Sequence, residues 1–145
     1  AMEQEELSLQ EEDLLDWVCE ETEDPIARDE QQAYRKMKEY LSCYGAGRHT
    51  AVLCFGDYMA LGVRKAIREA GYRIPEDFSL TGFGGSVIGE YMEPALTTVE
   101  WDPLDCGYAA AELLHRRMQR TAAEQGSPVP YRIVDRDSVK RMENA

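Results

Sequence analysis

Residues 50–101 constrain the fold more than any other part of the chain. They read TAVLCFGDYMALGVRKAIREAGYRIPEDFSLTGFGGSVIGEYMEPALTTVEW. Thr50 to Phe55 is a short apolar run, β-branched at Thr50 and Val52, without helical period, and it predicts a strand. Gly56 breaks the run. Beyond it Met59, Leu61, Val63, Ala66, Ile67 and Ala70 recur at about helical spacing, and Gly71 stops the pattern. Pro75 and Asp77 precede a second apolar run, Phe78 to Phe83, which ends in Gly84-Gly85. A third, Leu96 to Trp101, follows Pro94. Strand, helix, strand, loop, strand with short connections is the order of a parallel α/β sheet. In open sheets of this kind ligands sit at the carboxyl ends of the strands, where both glycine turns fall.

The flanking segments extend the same alternation. Leu14, Leu15, Trp17, Val18 and Cys19 predict a first strand. Pro25 suits a helix start, and Ala33, Tyr34, Met37, Tyr40 and Leu41 place a helix over Ala27 to Cys43. Val87 to Met92 predicts one or two helical turns. Asp102-Pro103 opens a long helix with Leu104, Tyr108, Ala111, Leu114 and Met118 on one face. Arg116, Arg117 and Arg120 stand near its end, where cations suit the helix dipole. Ala122 to Pro130 reads as a linker and Tyr131 to Val134 as a last strand. Asp137 is expected to cap a final helical turn through Met142.

Charge separates one end from the rest. The net charge is −12, and thirteen of the 28 acidic residues lie in the first thirty positions against Arg28 alone. The remainder is balanced, so no basic patch neutralises phosphates and direct DNA binding by this chain is not expected. The organisation predicted is an acidic arm over residues 1–13 and an α/β unit over residues 14–145. Cys19, Cys43, Cys54 and Cys106 show no C-x-x-C pairing and read as reduced core thiols of a cytoplasmic protein. His49 and His115 have no ligand spacing, so no metal or other cofactor is expected. No apolar segment has membrane-spanning length and no signal-peptide pattern opens the chain. No nucleophile–base pattern accompanies Ser86, Asp57, Asp102 or the histidines, and Gly82-Phe83-Gly84-Gly85 is not a dinucleotide fingerprint, so no enzyme is expected.

Three blocks carry a family resemblance: FGDYMALG, then REAGYRIPEDFSLTGFGGS, then EPALTTV, in that order and register. Together with Asp135-Arg136-Asp137-Ser138 they resemble the effector-binding domain of LacI/GalR-type bacterial transcription repressors, from roughly Leu14 to Val139. The resemblance implies a three-layer, mostly parallel sheet flanked by helices, the C-terminal lobe of a type I periplasmic-binding-protein-like fold. It implies that the stretch is part of a two-lobed effector module, with Tyr108 to Arg120 and Tyr131 to Val134 belonging to, or returning from, the other lobe. The function implied is a ligand-sensing and dimerising domain of a repressor that releases DNA on binding a small molecule. The partners implied are that small molecule and a second copy, with DNA read by a separate domain and no membrane. The alternatives are a transport solute-binding protein, or a dimerisation module that has lost sensing.

The effector-cleft candidates are Gly56, Asp57, Tyr58, Gly84, Gly85, Ser86 and Trp101. Gly56 stands where the family has a ligand-bonding Asn and offers only backbone. Asp57 reads as a helix cap, or as a ligand contact. Gly84 replaces a family carboxylate that clamps paired hydroxyls. With Gly85 it either forms a left-handed turn or lets a ligand approach closely, and Ser86 offers one hydrogen bond. Trp101, where the family often has Gln, either stacks on a ligand ring or packs at the hinge. Tyr58 is a cleft wall or an exposed first-turn residue. Both glycine replacements point away from a typical sugar effector.

Overall fold

A computed structural model describes residues 25–119 and 129–141. The elements run α1 (Pro25–Tyr44), β1 (Ala51–Leu53), α2 (Asp57–Glu69), β2 (Ser79–Phe83), α3 (Ile88–Tyr91), β3 (Thr97–Trp101), α4 (Pro103–Met118) and β4 (Tyr131–Val134). The sheet order is β1-β2-β3-β4. The first three strands are parallel and β4 returns antiparallel to β3, Val99 opposite Ile133 and Trp101 opposite Tyr131. The predicted strand at Leu14 to Cys19, the acidic arm and the linker up to residue 128 lie outside the described residues.

Side chains alternate across a strand, and here the two faces differ. Leu80 and Thr98 point to one face and are buried, and Val52 shares that face. α2 covers it with Ala60, Val63, Ala66 and Ile67, and α1 packs along α2 with Ala33, Met37, Tyr40 and Leu41. The helices touch closely at Gly62, where an added Cβ would lie 2.0 Å from the Glu30 carbonyl oxygen. The opposite face carries Leu53, Phe83, Ile133 and Tyr131, all exposed. Leu53 is 81% exposed, and Phe55 just beyond it is 85% exposed and stacked on Phe83 at 6.2 Å.

α2 ends as its sequence predicts. Gly71, at φ +84, follows the last turn, and Tyr72 N–H reaches back to the Ile67 carbonyl. Asp102 caps α4, its carboxylate accepting from Leu104 N–H at 2.8 Å. No residue of α4 is buried, and its predicted apolar face exposes Leu104, Tyr108, Leu114 and Met118.

The chain's end differs from expectation. Asp137 caps no helix; residues 137–139 form a turn, and the Asp137 N–H donates to the Ala95 carbonyl. This segment is instead stitched into the sheet. Leu80 N–H donates to the Ser138 carbonyl at 2.8 Å. The Ser138 hydroxyl, 1% exposed, donates to the Leu80 carbonyl at 2.6 Å and accepts from Thr97 N–H at 2.8 Å. Backbone groups at the amino ends of β2 and β3 thus find their partners in the tail, and a helix there would withdraw them.

Candidate functional site

The β1–α2 and β2–α3 turns lie at the same edge of the sheet, at the carboxyl ends of neighbouring parallel strands. Asp57 joins them. It is the first residue of α2 and is 2% exposed. Its Oδ1 accepts from the Thr98 hydroxyl at 2.6 Å, and its Oδ2 accepts from Ser86 N–H at 2.5 Å. The predicted cap is therefore not what forms. The helix N-cap is Gly56, with no side-chain cap bond, and the Asp57 carboxylate reaches across the sheet to β3 and to the second glycine turn. A carboxylate at this helix start still complements the positive end of the α2 dipole.

That carboxylate sets the shape of β2. An added Cβ on Gly82 would stand 2.2 Å from Asp57 Oδ1 and 2.8 Å from Leu96 Cδ2. Gly84 and Gly85 have φ of +122 and +68, the left-handed region that favours glycine. An added Cβ on Gly85 would also meet Glu100 Cγ at 2.5 Å. The turn reading of these glycines accounts for both. Gly56 differs, being extended at φ −153, with only Met59 Sδ near an added Cβ, at 3.9 Å. Neither conformation nor crowding demands glycine at 56, so its missing side chain simply leaves space at the sheet edge.

Ser86 gives its backbone N–H to Asp57, while its hydroxyl is engaged by no described residue. Tyr58 is half-buried, so of its two readings the fully exposed first-turn residue does not hold. Trp101 is half-buried too, and its indole Nε1 is buried without a hydrogen-bond partner among the described residues. It lines an apolar cavity of about 410 Å³ with Phe83, Val99, Cys106, Val129 and Tyr131. Sequence reasoning named Trp101 but missed Phe83 and Tyr131. Their signal was available: both occupy the strand face opposite the buried one, in register with Val99 and Trp101.

Three of the four cysteines lie among the described residues. Cys43, Cys54 and Cys106 are free thiols, but Cys43 is exposed on α1 and is no core residue. Burial, helped by the Asp57 charge, pushes the Cys54 thiol up to about 12. No helix is long and apolar enough to cross a membrane, and no group of His, Cys, Asp and Glu could hold a metal ion, among those residues.

A mostly parallel α/β sheet with its glycine turns at the carboxyl edge, and an antiparallel strand returning beside β3, defines the class: an α/β lobe of the periplasmic-binding-protein-like type. The chain belongs to the periplasmic binding protein-like domain family, whose profile matches residues 3–139, in the form found in LacI-family regulators. It is 40% identical over 94 residues to the HTH-type transcriptional repressor PurR of Vibrio cholerae serotype O1 (strain M66-2), an alignment covering 64% of this chain and 28% of that protein. Among solved structures it resembles a LacI family transcriptional regulator from Arthrobacter sp. FB24 in complex with lactose, with TM-score 0.62 and 32% identity over 77% of this chain and 42% of that one. It also resembles the lac repressor dimer bound to operator and the anti-inducer ONPF, with TM-score 0.68 and 27% identity over 75% of this chain and 37% of that one. The chain thus spans about three-tenths of the length of the curated relatives it matches.

Proposed function

We propose that this chain is the effector-sensing part of a cytoplasmic bacterial transcription repressor. A small molecule binds between the carboxyl edge of this sheet and a second lobe, and closure of the two lobes alters the geometry of a dimer whose separate domains read DNA. One observation carries the reading: Asp57 ties the Gly56 turn to the Gly84-Gly85-Ser86 turn at the carboxyl edge of the sheet and anchors both to Thr98 of β3. Gly84, Gly85 and Ser86 offer backbone and one free hydroxyl to a ligand; Gly56 and Tyr58 flank them; Asp57 holds the wall together from behind. The similar structures support the reading, one holding lactose and one a dimer on operator DNA with an anti-inducer. The absence of carboxylate and amide side chains at positions 84 and 56 favours an effector other than a polyol, since a sugar's hydroxyls would there lack side-chain partners.

Calorimetric titration of the chain with sugars, nucleosides and phosphorylated metabolites, followed by operator-release measurements on the intact regulator, tests the proposal. Saturable binding by one class, and DNA affinity altered by that same compound, are expected. Indifference of both readouts to every class would refute it.

A second reading has its own observation. The open sheet face and α4 expose enough apolar surface for a module that only self-associates. It would be favoured by a dimer whose DNA affinity no metabolite changes.

A further inference from the structure

Gly85 rests on the stem of a β3 side chain. An added Cβ there would stand 2.5 Å from Glu100 Cγ, 2.8 Å from its Cβ and 3.1 Å from its Cα, so only a hydrogen atom separates the turn from that residue. The head of the same side chain is held from the next strand. Glu100 lies directly opposite Arg132 of β4. Its Oε2 accepts from Arg132 Nε at 2.8 Å and stands 2.7 Å from Arg132 Nη2. A planar guanidinium engaging through two nitrogens sets the direction of a carboxylate as well as its distance. The turn's other holds are of a different kind. Gly84 N–H donates to the Val99 carbonyl at 2.8 Å, extending the β2–β3 ladder, and Ser86 N–H donates to Asp57. Thr98 and Glu100, two residues apart, share one face of β3. The first holds Asp57 and the second seats Gly85. Asp57 and Thr98 are buried, whereas the Glu100 and Arg132 side chains are 36% and 75% exposed. A buried tie is rigid, while an exposed ion pair is weak and yields readily. The turn is thus fixed at Ser86 and adjustable at Gly85.

Resting on the effector-sensing reading above, we propose that Glu100 is a positioning residue for the Gly84-Gly85-Ser86 turn, set from β4 by Arg132. The placement of β4 against β3 orients the Glu100 side chain, and its stem fixes where Gly85 sits. The strands that carry this pair are also the ones that flank α4: β3 runs into it after Asp102, β4 follows it, and no residue of α4 is buried. A second lobe that moves α4 and β4 therefore reaches the turn through one side-chain pair.

The test is amide hydrogen exchange followed by NMR on the whole 145-residue chain, which needs no ligand. Glu100→Ala removes the stem; Arg132→Gln keeps a side chain on β4 but releases the carboxylate. Each is expected to speed exchange at Gly84 and Ser86 about three-fold, in keeping with the strength of an exposed ion pair. Leu80 N–H and the urea midpoint should stay as in the parent chain, which separates a loosened turn from a loosened fold. The reversed pair, Glu100→Arg with Arg132→Glu, restores both stem and ion pair and should return the two rates to the parent values. Unchanged rates in both single variants overturn the positioning role. Equal acceleration at Leu80 overturns it too, because the pair would then support the whole sheet. Rates that stay fast in the reversed pair overturn the ion pair as the link. The sensor reading fails separately: operator affinity of the intact regulator unmoved by every metabolite sinks that reading and leaves the exchange result standing.

Discussion

The Thr98 hydroxyl donates to the Asp57 carboxylate at 2.6 Å, joining the second residue of β3 to the first turn of α2 across 41 residues of chain. The other carboxylate oxygen holds Ser86 N–H at 2.5 Å. Thr98 is 1% exposed and Asp57 2%, so water replaces neither bond. Asp57→Ala leaves a buried hydroxyl and a backbone N–H without their acceptor, each costing ~1–3 kcal/mol. We expect a stability loss of about 2–4 kcal/mol in urea unfolding, and a smaller loss for Asp57→Asn, which keeps one acceptor oxygen. A midpoint unchanged by Asp57→Ala would show that the carboxylate ties nothing.

Gly82 and Asp57 should be coupled. A Cβ at 82 overlaps Asp57 Oδ1 and Leu96, so Gly82→Ala is expected to destabilise by about 1–3 kcal/mol through overpacking. Removing the carboxylate first opens that space. The double variant Gly82→Ala with Asp57→Ala should therefore lose less than the two single losses added together. Strict additivity in a double-mutant cycle would contradict the contact.

The thiols should separate by reactivity and by pH. The exposed Cys43 is expected to label quickly with a thiol reagent at pH 7.5, while Cys54, held protonated by burial, stays unlabelled until the chain unfolds. Stability should follow the same group. Its folded value of about 12 lies above the ordinary 9.0, so the unfolded chain ionises first. The stability linked to Cys54 is whole below pH 9 and declines as pH rises toward 12. Cys54→Ala should flatten that alkaline decline; an identical alkaline slope in the variant would exclude the thiol as its source.

The uncovered apolar surface should drive association. Leu53, Phe55 and Ile133 on the sheet, and Leu104, Tyr108 and Met118 on α4, are each exposed by more than half. The chain is expected to self-associate with rising concentration in light scattering. Lysine substitutions at Leu53 and Ile133 should reduce the apparent mass without lowering the unfolding midpoint. A monomer at every concentration would remove the support for the dimer reading.

Much of this was legible from residue order. The apolar run before Gly56 located β1, although the strand is Ala51–Leu53 and not the whole of Thr50 to Phe55, and the helical spacing from Met59 to Ala70 with Gly71 after it predicted α2 nearly to the residue. Glycine turns after two successive strands fell, as expected, at the carboxyl edge of the parallel sheet. The role of Asp57 was not legible. A carboxylate after glycine at a helix start is indistinguishable from a cap until Thr98 and Ser86, distant in sequence, arrive beside it. Asp137 misled for the same reason: its neighbour Ser138 was already committed to Leu80 and Thr97.

Local pattern was enough for the elements, their parallel order and the glycine turns, because hydrophobic period and backbone freedom act within a few residues. The division of labour at the site was settled by folding. There one carboxylate became a brace instead of a cap, and one indole was buried without an acceptor. Both outcomes depend on which atoms meet across the sheet, and contacts between residues forty apart in the chain leave no periodic trace in it.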